Sequence, residues 1–426
     1  MKPYINILLV ALTVVTAAGC SKEKGFRHNP AAPVVIEKFT PATGGAGTEV
    51  LIYGANFSTD TTGVSVTVNG VQAYVEGVVE DRILIVVPVK AGTGKIEVSI
   101  NGNKAASPEE FVYTPSYVVT TLAGNGQAGY ADGQGKDAVF NIGARCGLDI
   151  DEAGNLYVAE GENRRVRKIA PDGTVTTLAG NGNYGYKEGK GAEAEFFLPL
   201  DVVADGAGNV YVSDPAAWTI RKITPDGTTT LINWFEAWGI GMDKRNGMLY
   251  YTNAKSPGSV FQVKPDGSAE EIITGLEYPS DVAVDSEGNL FVVENGASVI
   301  RQFKHTTWEP GITIGQRGQT GLVNGAADAA RFDLPWGIAI DNGNNLYIAG
   351  NGTWDGASTN TNHCVRFVSA ADWMVSTYTG GAAAGYADGT GSAALFNAPT
   401  GVTVGPDGTV YIVDRKNNCI RKVIAE

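Results

Sequence analysis

The chain has 426 residues, and 56 of them are glycine, about twice the usual share of roughly 7%. Because 43% of the residues are hydrophobic and only 18% are charged, the chain can build apolar cores, which excludes a disordered or collagen-like protein. The formal net charge of −13 opposes binding to phosphate backbones, so no nucleic-acid partner is expected. The many aromatic residues favour an all-β, turn-rich fold, and the length suggests two or three domains.

The first twenty residues are organised like an export signal. Lys2 precedes an apolar run at residues 5–15, and small residues at 17–19 stand before Cys20. The run is too short to span a bilayer. Small residues directly before a cysteine resemble the lipobox of bacterial lipoproteins. This resemblance implies a signal peptide at 1–19, lipidation of Cys20, a flexible tether at 20–32 and an outer-membrane location, with surface exposure left open.

Three cysteines remain beyond the predicted signal, at Cys146, Cys364 and Cys419. An odd number cannot pair completely within one chain. Cys364 and Cys419 also occupy equivalent positions in neighbouring repeats. We therefore expect all three to be small buried hydrophobic residues without disulfides.

Residues 33–115 predict a small β-sandwich. Short alternating apolar runs separated by Gly, Asn, Asp and Pro turns are typical of such a domain. The predicted strands are Val34–Phe39, Glu49–Tyr53, Val64–Val68, Arg82–Val87, Lys95–Ile100 and Glu110–Tyr113. The segments IEKFTPATGGAGTEVLIYGANFS, VTVNGVQA and VPVKAGTGKIEVSING resemble an IPT/TIG immunoglobulin-like domain. The resemblance implies a spacer or a protein-interaction module.

Residues 116–426 contain an internal repeat. The segment DEAGNLYVAE at 151–160 is the first of six related copies, and successive copies are 39 to 64 residues apart. Repeats of about 40 residues with insertions are typical of a propeller or a solenoid. The shared aromatic residues are Tyr157, Tyr211, Tyr250, Phe291, Tyr347 and Tyr411.

Each repeat predicts four strands, and the two ends of the array complement one another. The last repeat stops at Glu426 after its third strand, whereas YVVTTLAG at 117–124 matches the fourth strand VTTLAG at 175–180. Closing the ring with this early strand removes the exposed edges of an open array. The sequence therefore predicts a six-bladed β-propeller. Its motifs resemble NHL repeats, a class that implies the fold but includes binders, scaffolds and enzymes.

Four long glycine-rich segments predict one loop-bearing face of the propeller. They occupy 124–141, 180–199, 315–335 and 380–399, and we expect Phe140, Phe197, Phe332 and Phe396 to anchor them. Indoles stack on sugar rings, while amides, guanidinium groups and carboxylates bond to hydroxyls. The candidate ligand-binding residues on this face are Trp238, Trp336, Trp218, Trp354, Glu162, Arg164, Arg165 and Asp355.

Oxygen-bearing residues end most of the predicted second strands. Glu160, Asp214, Glu294 and Asp414 are weak candidates for a calcium site, because calcium prefers carboxylate ligands. The favoured interpretation is structural, with these carboxylates capping turns and pairing with Arg167, Arg221, Arg301 or Arg421. No cofactor is expected, with calcium kept as the exception.

Catalysis has little support in the sequence. The chain has three histidines, at His28 in the tether, at His305 on the opposite face and at His363 in a predicted loop. They cannot supply the several channel histidines of zinc-dependent lyases of the NHL class. The leading hypothesis is a non-catalytic, lipid-anchored envelope protein that binds an oligo- or polysaccharide. The alternatives are a protein-interaction scaffold in an outer-membrane complex and a calcium-dependent lactonase or hydrolase.

Overall fold

The computed structural model describes residues 28–143, 146–264, 266–350 and 362–426. The chain divides into two compact units between Pro115 and Ser116. The predicted signal peptide, Cys20 and the first part of the predicted tether lie outside the described residues, as do Trp354 and Asp355. Among the residues that are described, no helix is long and apolar enough to cross a membrane.

The first unit is an immunoglobulin-like sandwich of two sheets. Its strands are Val35–Thr40 (β1), Thr43–Gly44 (β2), Glu49–Ala55 (β3), Val64–Val68 (β4), Val71–Gln72 (β5), Tyr74–Val79 (β6), Arg82–Val86 (β7), Gly94–Ile100 (β8) and Asn103–Tyr113 (β9), with a 3₁₀ helix at Thr61–Gly63. One sheet has the order β1-β3-β7-β6 and the other β2-β9-β8-β4-β5. Alternating residues from both sheets, including Ile52, Phe57, Val66 and Phe111, form the buried core.

The last residues of the predicted tether pack on this sandwich. The amide of Asn103 donates to His28 Nε2 at 2.8 Å, and His28 Nδ1 donates to the carbonyl of Asn56 at 2.9 Å. The side chain of Asn56 in turn donates to the carbonyl of Ala32 at 2.8 Å. The expectation of a flexible tether through residue 32 is therefore wrong for residues 28–32, which belong to the folded unit.

The second unit is a six-bladed propeller, as the sequence predicts. Its strands in chain order are Tyr117–Ala123 (β10), Gly133–Gln134 (β11), Leu148–Ile150 (β12), Leu156–Glu160 (β13), Arg165–Ile169 (β14), Thr174–Ala179 (β15), Gly189–Lys190 (β16), Asp201–Ala204 (β17), Val210–Asp214 (β18), Thr219–Ile223 (β19), Thr228–Trp234 (β20), Ile240–Asp243 (β21), Met248–Asn253 (β22), Gly258–Val263 (β23), Ala269–Leu276 (β24), Pro279–Val284 (β25), Leu290–Glu294 (β26), Val299–Phe303 (β27), Pro310–Ile314 (β28), Pro335–Ile340 (β29), Leu346–Gly350 (β30), His363–Val368 (β31), Val375–Gly381 (β32), Gly389–Thr390 (β33), Pro399–Val404 (β34), Val410–Asp414 (β35) and Cys419–Ala425 (β36). Short 3₁₀ helices lie at Gly135–Asp137, Gly191–Glu193, Gly391–Ala393 and Arg415–Asn417.

Blades 1 to 5 begin at β12, β17, β21, β25 and β29, and blade 6 consists of β34, β35, β36 and β10. The ring closes because β10, the first strand of the unit, pairs antiparallel with β36, the last. Ser116 and Glu426 extend this pairing by exchanging backbone hydrogen bonds of 2.9 and 2.8 Å. The predicted closure of blade 6 by an N-terminal strand is confirmed, and all blades meet their neighbours without an open end.

The repeated D-x-x-G-N motif forms the turn between the first two strands of a blade. In blade 1, the Asp151 carboxylate accepts hydrogen bonds of 2.8 Å from both the backbone and the side chain of Asn155. The hydroxyl of Tyr157 donates to the same carboxylate at 2.9 Å. Gly154 adopts a φ of +82°, a left-handed conformation that favours glycine. The motif thus fixes the turn and anchors the shared aromatic residue.

Candidate functional site: the loop-bearing face and the channel

The segments that join second to third strands, and fourth strands to the next blade, lie on one face, which we call the loop face. The four long segments on it also reach the outer edges of four blades. β11 pairs with β15, β16 with β20, and β33 with β10. In blade 5, Gly325 exchanges backbone hydrogen bonds with Val375. Covering an outer strand satisfies its free backbone groups and blocks edge-to-edge association.

The outer strands of blades 3 and 4, β24 and β28, lack such a covering strand among the described residues. They are protected in another way. β24 carries the exposed side chain of Glu270, which pairs with Lys264, and β28 begins with a proline. Charges and prolines are the usual protection of free strand edges.

Arginines of the third strands hold the long segments in place. Arg167 lies 5.0 Å from the ring centre of Tyr130 and 4.9 Å from that of Phe140. Arg221 has the same relation to Tyr186 and Phe196, at 5.0 and 4.5 Å. Arg421 with Tyr386 and Phe396, and Arg366 with Phe332, repeat the arrangement. The tyrosines and phenylalanines that recur in these segments therefore serve packing.

The predicted anchors Phe140, Phe332 and Phe396 are fully buried. The predicted anchor of the second segment, Phe197, is wrong, because its neighbour Phe196 is the fully buried one. Phe197 is half-buried and lies edge-on to Tyr184 at 4.6 Å. Two adjacent phenylalanines give the sequence no means of choosing which one faces the core.

The acidic residues that end the second strands are structural. Glu160 pairs with Arg167 at 2.9 Å and Asp414 with Arg421 at 2.8 Å, and in both pairs neither side chain is exposed. Glu294 pairs with Arg301 at 3.0 Å. Burial raises the pKa of Glu160, and raises that of Asp414 to about 6.

Asp214 departs from the predicted pairing. Its carboxylate accepts backbone hydrogen bonds from Phe197 and Leu198, both at 2.8 Å. Arg221 instead donates to the carbonyls of Lys187 and Glu195. Within the described ranges, no group of three or more His, Cys, Asp or Glu residues is placed to hold a metal ion. The weak calcium candidates Glu160, Asp214, Glu294 and Asp414 are thus occupied by arginines or by backbone N–H groups.

The first strands of the six blades line a central channel of about 650 Å³, a volume in the range of small-molecule sites. Alternation along each strand sends one residue to the channel wall near the loop face. These residues are Gly147, Asp201, Gly239, Asp281, Gly337 and Gly401. A side chain on Gly147 would collide with the Asp201 carboxylate. Four glycines therefore make room for two carboxylates.

The channel aspartates join neighbouring blades. Asp201 accepts a hydrogen bond from the backbone N–H of Ile240 in blade 3, and Asp281 accepts one from Ile338 in blade 5, both at 2.9 Å. Asp149 does the same with Ala204 in blade 2 at 2.9 Å. Burial, opposed by these bonds, raises the pKa of Asp201 to about 7. Burial and the nearby Asp201 charge raise the pKa of Asp281 well above its usual range.

The predicted site tryptophans fall in different environments. Trp238 and Trp336 both line the channel, but Trp336 is buried, with 7% of its surface exposed. Trp218 stands on the loop face of blade 2 and is 59% exposed. The structure does not gather the three indoles into one cluster, since only Trp238 and Trp336 share the channel wall.

The predicted charged residues lie in the second-to-third-strand loop of blade 1. Glu162 is exposed. Arg164 donates to the carbonyl of Gly182 at 3.4 Å, and Arg165 donates to that of Asn181 at 2.6 Å. Arg165 also lies 3.8 Å from the ring centre of Tyr130. Both arginines thus support the adjoining long segment.

Exposed aromatic residues distinguish the two faces of the propeller. Every aromatic residue of its described part that exposes more than two-fifths of its surface lies in a loop-face segment or at an adjoining strand end. They are Tyr130 (47%), Tyr184 (66%), Trp218 (59%), Trp234 (57%), Tyr278 (52%) and Tyr386 (44%). Of these, only Trp218 was predicted as a site residue. Trp234 and Tyr278 could have been found as aromatic residues at strand ends, and Tyr130, Tyr184 and Tyr386 as tyrosines of the long segments.

Blade 2 has the densest part of this aromatic face. Thr219, which follows Trp218, pairs with Trp234 on the neighbouring strand. The ring of Tyr186 packs against Trp234 with 5.0 Å between centres. Two indoles that are each more than half exposed therefore stand at the ends of adjacent strands.

None of the histidines and cysteines in the described part of the propeller lines the channel. His363 is buried in β31, which corrects the predicted loop position, and its Nδ1 accepts from the N–H of Ala398 at 3.1 Å. His305 lies beside the turn residue Asn289 on the opposite face. Cys146, Cys364 and Cys419 are free and buried, as the sequence predicts.

Comparisons with known proteins agree with this architecture. The family model of the IPT/TIG domain matches residues 33–113, and that of the NHL repeat matches residues 396–423. The chain is 27% identical over 316 residues to Protein SUPPRESSOR OF QUENCHING 1, chloroplastic, of Arabidopsis thaliana, and 28% identical over 294 residues to NHL repeat-containing protein 2 of Bos taurus. These matches cover 72% and 62% of this chain but only 27% and 37% of those proteins.

Solved structures match over most of the chain. A structural genomics protein of unknown function from Bacteroides thetaiotaomicron superposes with a TM-score of 0.63 and 22% identity, over 94% of this chain and 100% of the other. An auxiliary nutrient binding protein from Bacteroides ovatus gives a TM-score of 0.61 and 23% identity over the same shares. At this identity the likeness shows the fold. The chain has an IPT/TIG domain at residues 33–113 and an NHL repeat within its propeller.

Proposed function

We propose that this protein, with its IPT/TIG domain and NHL-type propeller, is a non-catalytic binding protein of the cell envelope whose loop face takes up a glycan. The observation that carries the proposal is the pair of strongly exposed indoles, Trp218 and Trp234, at the ends of adjacent strands on that face. Indole and phenol rings combine a flat apolar surface with a polar group, and they stack on the apolar faces of sugar rings. Single exposed aromatic residues need no explanation, whereas two exposed indoles side by side at the loop-face end of blade 2 indicate a binding surface.

The blade 2 pair is the centre of the proposed site. Trp218 and Trp234 each leave more than half of their surface free, and Tyr186 supports Trp234 from one side. A tryptophan held by packing loses little freedom when a ligand stacks on it. The structural likeness to an auxiliary nutrient binding protein is in accord with a binding role.

The proposal places the protein on the outer membrane through acylation of Cys20, with the immunoglobulin-like unit as a spacer. Growth with a labelled fatty acid tests this part. We expect label in the wild-type protein and none in the Cys20→Ala variant, which should also leave the membrane fraction. Label that persists in the variant, or a wild-type protein without label, contradicts lipid anchoring.

Affinity electrophoresis against a panel of immobilised polysaccharides tests whether the protein binds a glycan. We expect at least one polysaccharide to slow the migration of the full chain. The same polysaccharide should not slow a reference protein of similar charge. If no glycan retards the protein and a stoichiometric protein is recovered by pull-down from solubilised envelopes, the scaffold alternative replaces this proposal.

A further inference from the structure

Arg415 differs from the other buried arginines of the propeller. Five arginines are buried in the part of the chain that the structure describes: Arg167, Arg221, Arg366, Arg415 and Arg421. Four of them donate to carboxylates, amide oxygens or carbonyls. Arg415 has 6% of its surface exposed, and its Nε and Nη2 are buried without a hydrogen-bond partner. A buried charge without a counter-charge is costly, so a protein rarely keeps one without a purpose.

Arg415 lies where blade 6 meets blade 1, at the loop-face end of the second strand of blade 6. It directly follows Asp414, which pairs with Pro399 at the start of the first strand of blade 6. Its guanidinium group lies close to the buried thiol of Cys146 in blade 1. Thr400 Oγ1 donates to the carbonyl of Cys146 at 3.1 Å, so this region joins blades 6 and 1.

The equivalent position in other blades carries no charge. The residues there are Gly161, Pro215, Ala254 and Asn295 in blades 1 to 4. In blade 4 the Asn295 amide donates to the carbonyl of Pro335 at the start of the next blade, at 2.8 Å. Packing between blades is therefore achieved elsewhere without an arginine, and the charge in blade 6 needs a separate explanation.

We infer that Arg415 binds an anionic substituent, a carboxylate or sulfate group, of the glycan taken up on the loop face, at the place where blades 6 and 1 meet; this inference rests on the proposed function. The free Nε and Nη2 form one edge of the guanidinium group, and such an edge binds two oxygens of one carboxylate or sulfate side by side. Both nitrogens are covered in the structure, so binding requires rotation of the Arg415 side chain. The ligand class is then an acidic glycan.

Thermal unfolding of the full chain in a constant sodium chloride background tests the inference, with sodium D-glucuronate, sodium sulfate and D-glucose as probes. Because a ligand that binds only the folded state raises its stability, we expect glucuronate or sulfate to raise the Tm with increasing concentration, and glucose to have no effect. A response to glucuronate alone assigns a carboxylate site, and a response to sulfate alone assigns a sulfate site.

The Arg415→Met variant provides the matched comparison. Replacing the unpaired buried charge by an apolar side chain of similar length should raise the Tm without anions and abolish the shift caused by them. A wild-type protein that responds to neither anion, or a variant that keeps the full shift, overturns the inference. A Trp218→Ala/Trp234→Ala variant should keep the anion shift. A wild-type protein that binds no glycan but keeps the anion shift would therefore contradict only the proposed function.

Discussion

Glu160 and Arg167 form an ion pair of 2.9 Å in which neither side chain is exposed to solvent. The pair joins the end of the second strand of blade 1 to the middle of its third strand. The same arginine donates to Asp132 at 2.8 Å and so ties down the long segment that covers the blade. One side chain thus links the blade to its covering loop.

Removing one partner of this pair should destabilise the propeller strongly. We expect Glu160→Ala to lower the free energy of unfolding by about 3 kcal/mol, because it leaves the arginine buried with a single, half-exposed carboxylate. Lys190→Ala, which breaks the exposed pair with Asp226, is the control and should leave the free energy of unfolding nearly unchanged. Chemical denaturation followed by circular dichroism measures both. Equal effects of the two changes would contradict a stabilising role for the buried pair.

Adjacent phenylalanines in the second long segment give a second prediction. Phe196 is fully buried, whereas Phe197 is half-buried. We expect Phe196→Ala to cost about 3–5 kcal/mol of unfolding free energy, the usual cost of removing a buried aromatic ring, and Phe197→Ala to cost less than half as much. Urea denaturation of the two variants measures these costs. The reverse order of stability would contradict the burial of Phe196 in preference to Phe197.

The propeller itself was predictable because its evidence is repeated six times. The D-x-x-G-N turns, the shared aromatic residue and the complementary strands at 117–124 and 419–425 each follow from local chemistry. The choice between Phe196 and Phe197 was not, because it depends on how the segment crosses the edge of blade 2. The partner of Arg221 was missed for the same reason, since Asp214 is taken by backbone N–H groups that come from that segment.

The binding surface was predicted less well than the fold. Exposure of Trp234 and burial of Trp336 depend on which strands are covered by neighbours, and sequence repeats do not record this. The channel carboxylates Asp201 and Asp281 also stand where most blades have glycine, and their convergence on one wall follows only from ring closure.

Channel carboxylates predict a pH dependence of stability. The pKa of Asp201 is raised to about 7 from an ordinary value of 3.8, and that of Asp281 is raised as well. Between pH 4 and 7 the folded state therefore holds protons that the unfolded chain releases. Since stability falls with pH wherever the folded state binds more protons, this contribution is present near pH 4 and is lost as the pH rises through about 7.

We expect the Asp201→Asn variant to show a flatter Tm profile between pH 5 and 8 than the wild type. Its advantage over the wild type should grow as the pH rises. Asp266→Asn, at an exposed turn where hydrogen bonds from Ser268 lower the pKa, is the control and should follow the wild-type profile over this range. Parallel profiles of Asp201→Asn and the wild type would contradict the raised pKa of Asp201 in the channel.

The most direct test of glycan binding at the loop face is a titration of the retained polysaccharide, or an oligosaccharide from it, by isothermal calorimetry. The Trp218→Ala/Trp234→Ala variant is compared with the wild type and with Tyr74→Ala, which removes an equally exposed ring from the other unit. The account predicts that the Kd rises at least about tenfold in the tryptophan variant and stays unchanged in Tyr74→Ala. Equal affinity of all three proteins would contradict it.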